Sequence, residues 1–311
     1  MSSRHMNRNL RNNIFIFLAA CILFIPFLGV VHLFDWDEIN FAESAREMIG
    51  TRDYFLVQIN YLPFWEKPPL FIWMQVLSMK MFGVNEFAAR LPNAVCGVVT
   101  LLVVFNIGRR LVSEKFGFLW ALIFAGSFLP HFYFKSGIID PWFNLFTFLG
   151  IFCFILFSRD KLPDAEQQPG SRLLAFSALF IGLAILTKGP VALLIFILCV
   201  LLYFIMTRFR RLPGLRQILL WSLVLLVVGG SWFLMLIVTG KGGLIKEFIN
   251  YQIRLFTTND AGHGGSFFYH WIVLLFGCFP MSALALQSFW QRKPDVPREQ
   301  YLRRWMLIMF W

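Results

Sequence analysis

Apolar residues in this chain gather in long blocks instead of alternating with polar ones. The first block covers 14–34, and seven more follow at 91–108, 116–134, 138–158, 173–187, 190–207, 218–239 and 267–290. A helix needs about 20 apolar residues to cross a bilayer core, and each block is near that length, 173–187 being short. The pattern therefore predicts a first span at 14–34 and seven further spans within 91–290. A ninth run starts at 303 and stops at 311, in mid-span. The chain is thus expected to be the N-terminal portion of a longer protein and to be inactive alone.

The segment 35–90 has a different texture. In "DWDEINFAESAREM" the residues Phe41, Ala42, Ala45, Met48 and Ile49 share one helical face, while Asn40, Glu43, Ser44 and Glu47 share the other. That spacing predicts an amphipathic helix at the membrane surface, with Asp37 near its N-terminus. In "FWEKPPLFIW" the pair Pro68–Pro69 holds Lys67 extended and marks a helix start at Leu70. Leu70–Phe82 is too short to cross and reads as interfacial or re-entrant. The fold class that follows is an all-α polytopic membrane protein, one transmembrane domain over 1–311, with a long first outer loop carrying interfacial helices.

Composition agrees: 58% of residues are hydrophobic and only 14% charged, where a soluble domain carries about 25%. The net charge of +11 would suit a nucleic-acid binder, but its distribution excludes that reading. With the N-terminus in the cytoplasm and eight spans alternating, eighteen of the 28 Lys and Arg fall inside, against six acids. Every inner loop obeys the positive-inside rule, so the excess sets topology, and no nucleic-acid partner is expected. The five cysteines lie inside apolar runs with no C-x-x-C spacing, which argues for packing and against a disulfide or structural zinc.

The same alternation puts Asp37, Glu38, Glu66, Lys67, Asp140, Lys188, Arg254 and His263 outside. Asp140 in "KSGIIDPW" and Lys188 in "ILTKGPVAL" sit in breaks so short that both charges are held at the hydrocarbon rim, where they are costly to keep. Read singly, each has a plain account: Asp37 and Glu38 as helix caps, Lys188 as a snorkelling side chain, His263 as a loop histidine. Read together, Lys67, Lys188 and Arg254 suit an anionic phosphate, and a nearby carboxylate suits a general base. Glu66 and His263 could share a divalent metal, zinc or magnesium. Transfer of a group from a lipid phosphate carrier is the chemistry implied.

In order along the chain, "DE…FAESAREM", "EKPPLFIW", "GIIDPWFNLF", "TKGPVALL" and "RLFTTNDAGH" resemble the GT-C membrane glycosyltransferases. The likeness is to the bacterial relatives of protein O-mannosyltransferases and of the lipid A aminoarabinose transferase. The resemblance implies a GT-C helix bundle in a bacterial inner membrane, with a periplasmic active site and inverting transfer from a polyprenyl-phosphate sugar. Asp37 would be the catalytic carboxylate, with Asp140 supporting the same cavity. Lys67, Lys188 and Arg254 would bind the donor phosphate. Glu38 and Glu66 would serve the acceptor side, and Glu66 with His263 would hold any metal. Asn40, Phe41 and Phe64 stand where the lipid A enzymes carry Arg, Tyr and Tyr, so lipid, glycan and protein acceptors all stay open.

The competing reading is a secondary transporter of a small solute. Its signature would be ionisable groups at mid-bilayer and repeated halves with broken helices, whereas these charges lie at one rim and no repeat is visible. A non-catalytic assembly subunit would explain the charge sorting but not five polar sites on one side.

Overall fold

A computed structural model describes residues 2–34, 36–159, 171–209, 212–257 and 267–290, together with 301, 303 and 305. The expected start of a ninth span, at 303–311, lies for the most part outside the described residues. The helices are α1 (Ser2–Phe24), α2 (Asp37–Thr51), α3 (Leu70–Phe82), α4 (Glu86–Leu111), α5 (Glu114–Gly126), α6 (Phe128–Phe134) and α7 (Asp140–Arg159). They continue as α8 (Ser171–Lys188), α9 (Val191–Met206), α10 (Leu215–Gly229), α11 (Ser231–Val238), α12 (Gly243–Thr257), α13 (Phe267–Gly277) and α14 (Met281–Trp290). Between α2 and α3 a small antiparallel hairpin pairs β1 (Gln58–Ile59) with β2 (Leu62–Pro63).

Among the described residues α4, α7 and α8 are each long and apolar enough to cross a membrane. The blocks expected to be single spans at 116–134 and 218–239 are each broken. α5 and α6 meet at 74°, and α10 and α11 at 53°. At the first break the Ser127 hydroxyl donates to the Ile123 carbonyl at 2.8 Å, a bond of the kind that bends helices. At the second, Gly229 and Gly230 follow one another. The first span also differs from its block. α1 begins at Ser2 and ends at Phe24, two residues ahead of Pro26, whose ring disfavours a helical residue before it.

α7 packs along α8, α8 along α10, and α4 along α1 and α5. Large apolar side chains such as Leu198 and Leu223 remain exposed, as a lipid-facing surface requires. At one end of the bundle, Glu114 at the head of α5 accepts from Arg8 Nη2 at 2.9 Å and Asn12 Nδ2 at 3.0 Å. Asn106 near the tail of α4 donates to Asn13 at 2.6 Å. The head of α4, 26 residues and therefore about 39 Å long, lies at the opposite end.

That opposite end is organised by one ion pair. Arg90, 3% exposed, meets Glu38, 1% exposed. Arg90 Nε reaches Glu38 Oε1 at 2.8 Å and Nη2 reaches Oε2 at 2.9 Å. The remaining guanidinium hydrogens go to the carbonyls of Leu28 (2.7 Å), Val31 (2.6 Å) and His32 (2.9 Å). All five donors of the fork are thereby used. Glu38 in turn accepts the backbone N–H of Phe34 at 2.6 Å and of Gly137 at 2.5 Å. The non-helical stretch after α1, the start of α2, the start of α4 and the loop before α7 are tied at one point.

Two expectations for α2 change. Phe41, Ala42, Ala45 and Met48 are buried as the spacing requires, but Ser44 and Glu47 are buried too. The hairpin covers the second face, and Glu47 Oε2 accepts from the Tyr61 N–H at 2.9 Å. Glu38, expected on the acceptor side, is sequestered: both carboxylate oxygens are committed to Arg90 and backbone amides.

Removing one partner of a buried, fully bonded pair leaves an uncompensated charge and costs about 3–5 kcal/mol. Arg90→Met is expected to lose that stability, and Arg90→Lys most of it, because an ammonium cannot reproduce the fork. Thermal unfolding in detergent, read by size-exclusion of the surviving monodisperse protein, checks this.

Candidate active site

The head of α7 and the tail of α8 come together beside the Glu38–Arg90 pair. Asp140 is the first residue of α7, where the helix dipole favours an anion, and Pro141 follows in a position that needs no N–H. Lys188 is the last residue of α8, where the dipole favours a cation. Gly189 then turns at φ +91°, a conformation other residues resist, and a Cβ there would stand 3.1 Å from the Phe248 ring. The "TKGP" sequence is thus a helix stop that delivers Lys188 to a fixed place. Lys188 Nζ donates to Asp140 Oδ1 at 2.6 Å and lies 5.5 Å from the Phe143 ring centroid.

Asp140 is held by its own loop. Asn93 Nδ2 donates to the carbonyls of Ser136 and Ile138, both at 2.6 Å. Trp142 Nε1 donates to the Pro92 carbonyl at 3.1 Å. Gly137 brings its N–H onto Glu38 only because it lacks a side chain: a Cβ would stand 3.1 Å from Glu38 Cγ and 3.3 Å from the Ala89 carbonyl oxygen. Asp37 enters from the other side as the first residue of α2, one position before the anchored Glu38. Trp36 before it has φ +72°, a strained backbone for a bulky residue that directs Asp37 into the turn.

"EKPP" supplies the next pair. Pro68 and Pro69 are buried and lead into α3, leaving Glu66 and Lys67 half-buried. Burial pushes the Lys67 ammonium below its ordinary value; Glu66 and Asp37 act against this, Lys188 adds to it, and Asp140 again opposes. Lys67 therefore feels charges from four separate segments, which is what one shared pocket requires. Glu66 Oε2 accepts from the Tyr251 hydroxyl at 2.9 Å. Lys67 Nζ lies 5.7 Å from the centre of the Tyr251 ring, and Arg254 Cζ lies 5.6 Å from it.

The structure thus brings together Asp37, Glu66, Lys67, Asp140, Lys188 and, through Tyr251, Arg254. Glu38 stands behind them as support. His263 lies outside the described residues. Tyr251 was not anticipated from the sequence, although its signal was present: Tyr251 and Arg254 are three apart on an amphipathic helix and so share a face. Phe41 and Phe64, which stand where the lipid A enzymes carry Tyr, pack with Phe71 and Ile139 in one apolar cluster. Phe41 is wholly buried, and Phe64 is half-buried.

Below Asp140, a mainly apolar cavity of about 330 Å³ extends between helices α4 to α7, α13 and α14, lined by Val104, Trp120, Tyr133, Pro141, Phe148 and Leu274 among others. Chemically, the arrangement can seat an anion against several cations, hold a carboxylate ready for a proton, and accept an apolar chain alongside.

The profile of the dolichyl-phosphate-mannose-protein mannosyltransferase family matches residues 66–232. The undecaprenyl phosphate-alpha-4-amino-4-deoxy-L-arabinose arabinosyl transferase of Shewanella sediminis (strain HAW-EB3) is 28% identical over 303 residues, covering 94% of this chain and 53% of that protein. A protein of Aquifex aeolicus (strain VF5) is 30% identical over 266 residues, covering 84% of this chain and 58% of that one. The chain spans about half the length of the curated relatives it matches. The crystal structure of ArnT from Cupriavidus metallidurans bound to undecaprenyl phosphate aligns with a TM-score of 0.77 at 23% identity, over 96% of this chain and 54% of that one. At that identity the likeness is one of fold.

Because Lys67 holds its proton less tightly than the ordinary 10.5, anion binding has a definite pH dependence. The ammonium is present below its pKa and lost as pH rises through it. Binding of a lipid phosphate should weaken as pH rises through the lowered Lys67 pKa. Lys67→Arg should move that decline upward, because a guanidinium stays charged. Equilibrium binding of a radiolabelled lipid phosphate between about pH 6 and about pH 11 reads both effects.

Proposed function

We propose that this chain, which belongs to the dolichyl-phosphate-mannose-protein mannosyltransferase family, takes part in moving a sugar from a polyprenyl-phosphate donor to an acceptor at the outer face of a bacterial inner membrane. The observation that carries the reading is the convergence of Lys67, Lys188, Asp37 and Asp140 from four segments on one end of the bundle. Its relatives' names supply the donor class, since the arabinosyl transferases use an undecaprenyl phosphate-linked sugar. The orientation rests on the sorting of basic residues. The Arg8–Glu114 end of the bundle is the cytoplasmic one, and the candidate site is at the other.

The chemistry is a displacement at the anomeric carbon. The Asp37 carboxylate takes the proton from the acceptor's nucleophile as that atom attacks. The bond from the anomeric carbon to the phosphate oxygen breaks, and its electron pair leaves with the phosphate. Attack opposite the departing group inverts the configuration. Negative charge grows on the phosphate, where Lys67, Lys188 and Arg254 meet it; stabilising such developing charge is usually the largest contribution to rate. Lys188 exchanges its Asp140 partner for the phosphate without losing its place at the end of α8. The isoprenoid chain occupies the apolar cavity beside Pro141. The acceptor is a lipid, a glycan or a protein.

The charges of the candidate site lie at one end of the bundle, which does not favour a transporter, whose ionisable groups belong near mid-membrane. Asp37→Asn keeps the size of the side chain and removes the base, so transfer should fall by about 10²–10⁴-fold. Binding of polyprenyl phosphate should stay within about twofold, since no cation is lost. Transfer assays on membranes containing the whole protein check this, and an Asp37→Asn variant with normal turnover removes Asp37 from its role.

A further inference from the structure

Glu66, expected with His263 as a metal pair, has a second partner. Its Oε2 takes the Tyr251 O–H at 2.9 Å. His263 lies outside the described residues, and among the described residues no three His, Cys, Asp or Glu side chains group as a metal site would need.

Tyr251 also touches both loop-side cations. Lys67 and Arg254 lie 5.7 and 5.6 Å from the Tyr251 ring centre, within the range where a cation is drawn to an aromatic face. One side chain on α12 therefore meets three charged groups by two different interactions. The hydroxyl restrains Glu66, and the ring spaces the two cations.

We propose that Tyr251 is a positioning residue of the transfer site: its hydroxyl fixes Glu66, and its ring seats Lys67 and Arg254 to receive the donor phosphate. The proposal rests on the transferase reading. Without the hydroxyl, Glu66 is free to turn onto Lys67 and neutralise the cation that the departing phosphate needs. Without the ring, the two cations lose their common support.

Two substitutions separate these effects in the whole protein in membranes. Tyr251→Phe keeps the ring: polyprenyl phosphate binding should stay within about twofold, while kcat falls about tenfold, the cost of misplacing one charge in a preorganised site. Tyr251→Leu removes the ring as well, and polyprenyl phosphate binding should weaken about tenfold. A residue that merely supported the fold would move binding and turnover together in both variants. Tyr251→Phe with wild-type kcat overturns the proposal, as does Tyr251→Leu with wild-type binding. If the unaltered protein binds polyprenyl phosphate but transfers no sugar, the transferase reading fails, and the binding results of the Tyr251→Leu variant still decide whether the ring seats the two cations.

Discussion

A carboxylate and a guanidinium buried together at the end of a membrane bundle are tolerable only when every hydrogen-bonding group is satisfied, and Glu38 and Arg90 meet that condition. Each of the five guanidinium hydrogens has an acceptor, and each carboxylate oxygen has two donors. That completeness imposes geometry on four segments distant in sequence. The carbonyls after α1 must face Arg90, the Phe34 amide must turn back toward α2, and the Gly137 amide must reach inward. Asp37 is one residue from the anchored glutamate, and Asp140 is three residues from the anchored glycine. Two carboxylates of the candidate site are thus placed by a buried pair behind them.

Charges within the pocket are arranged so that none is isolated. Lys188 rests on Asp140, Glu66 is bonded to the Tyr251 hydroxyl, and Lys67 and Arg254 lie over the Tyr251 ring. These contacts relieve the cost of holding ions near hydrocarbon. The cations they hold in place are the ones proposed to meet the donor phosphate. The helix ends reinforce this, with the anion at the head of α7 and the cation at the tail of α8.

Much of this was legible in the sequence, for identifiable reasons. The apolar blocks and the sorting of Arg and Lys gave the helical membrane class. Asp140 and Lys188 stood out because each is a charge in a break too short to hide it. The bends in the 116–134 and 218–239 blocks were not legible, since hydropathy is blind to a hydroxyl or a glycine pair that interrupts a helix without lowering its apolar content. Glu38 looked like a second site carboxylate because nothing local distinguishes it from Asp37; its partner is Arg90, and only the tertiary fold shows which acid faces inward. Tyr251 was missed because a tyrosine on an amphipathic helix is usually an interfacial anchor. Phe41 and Phe64 read as lost hydroxyls at the acceptor side; in the fold Phe41 is buried core, and Phe64 packs half-buried against the same cluster.

The central claim is that residues from separate segments close around one phosphate at a single end of the bundle. It is tested most directly by solid-state NMR of the whole protein in bilayers, with lysine side chains labelled in ¹⁵N and polyprenyl phosphate observed through ³¹P. The account predicts that two lysine ammonium signals, assigned to Lys67 and Lys188 by their loss in Lys67→Arg and Lys188→Arg, are both dephased by the same phosphorus. A phosphorus that couples to neither lysine, or only to lysines elsewhere in the chain, would contradict it.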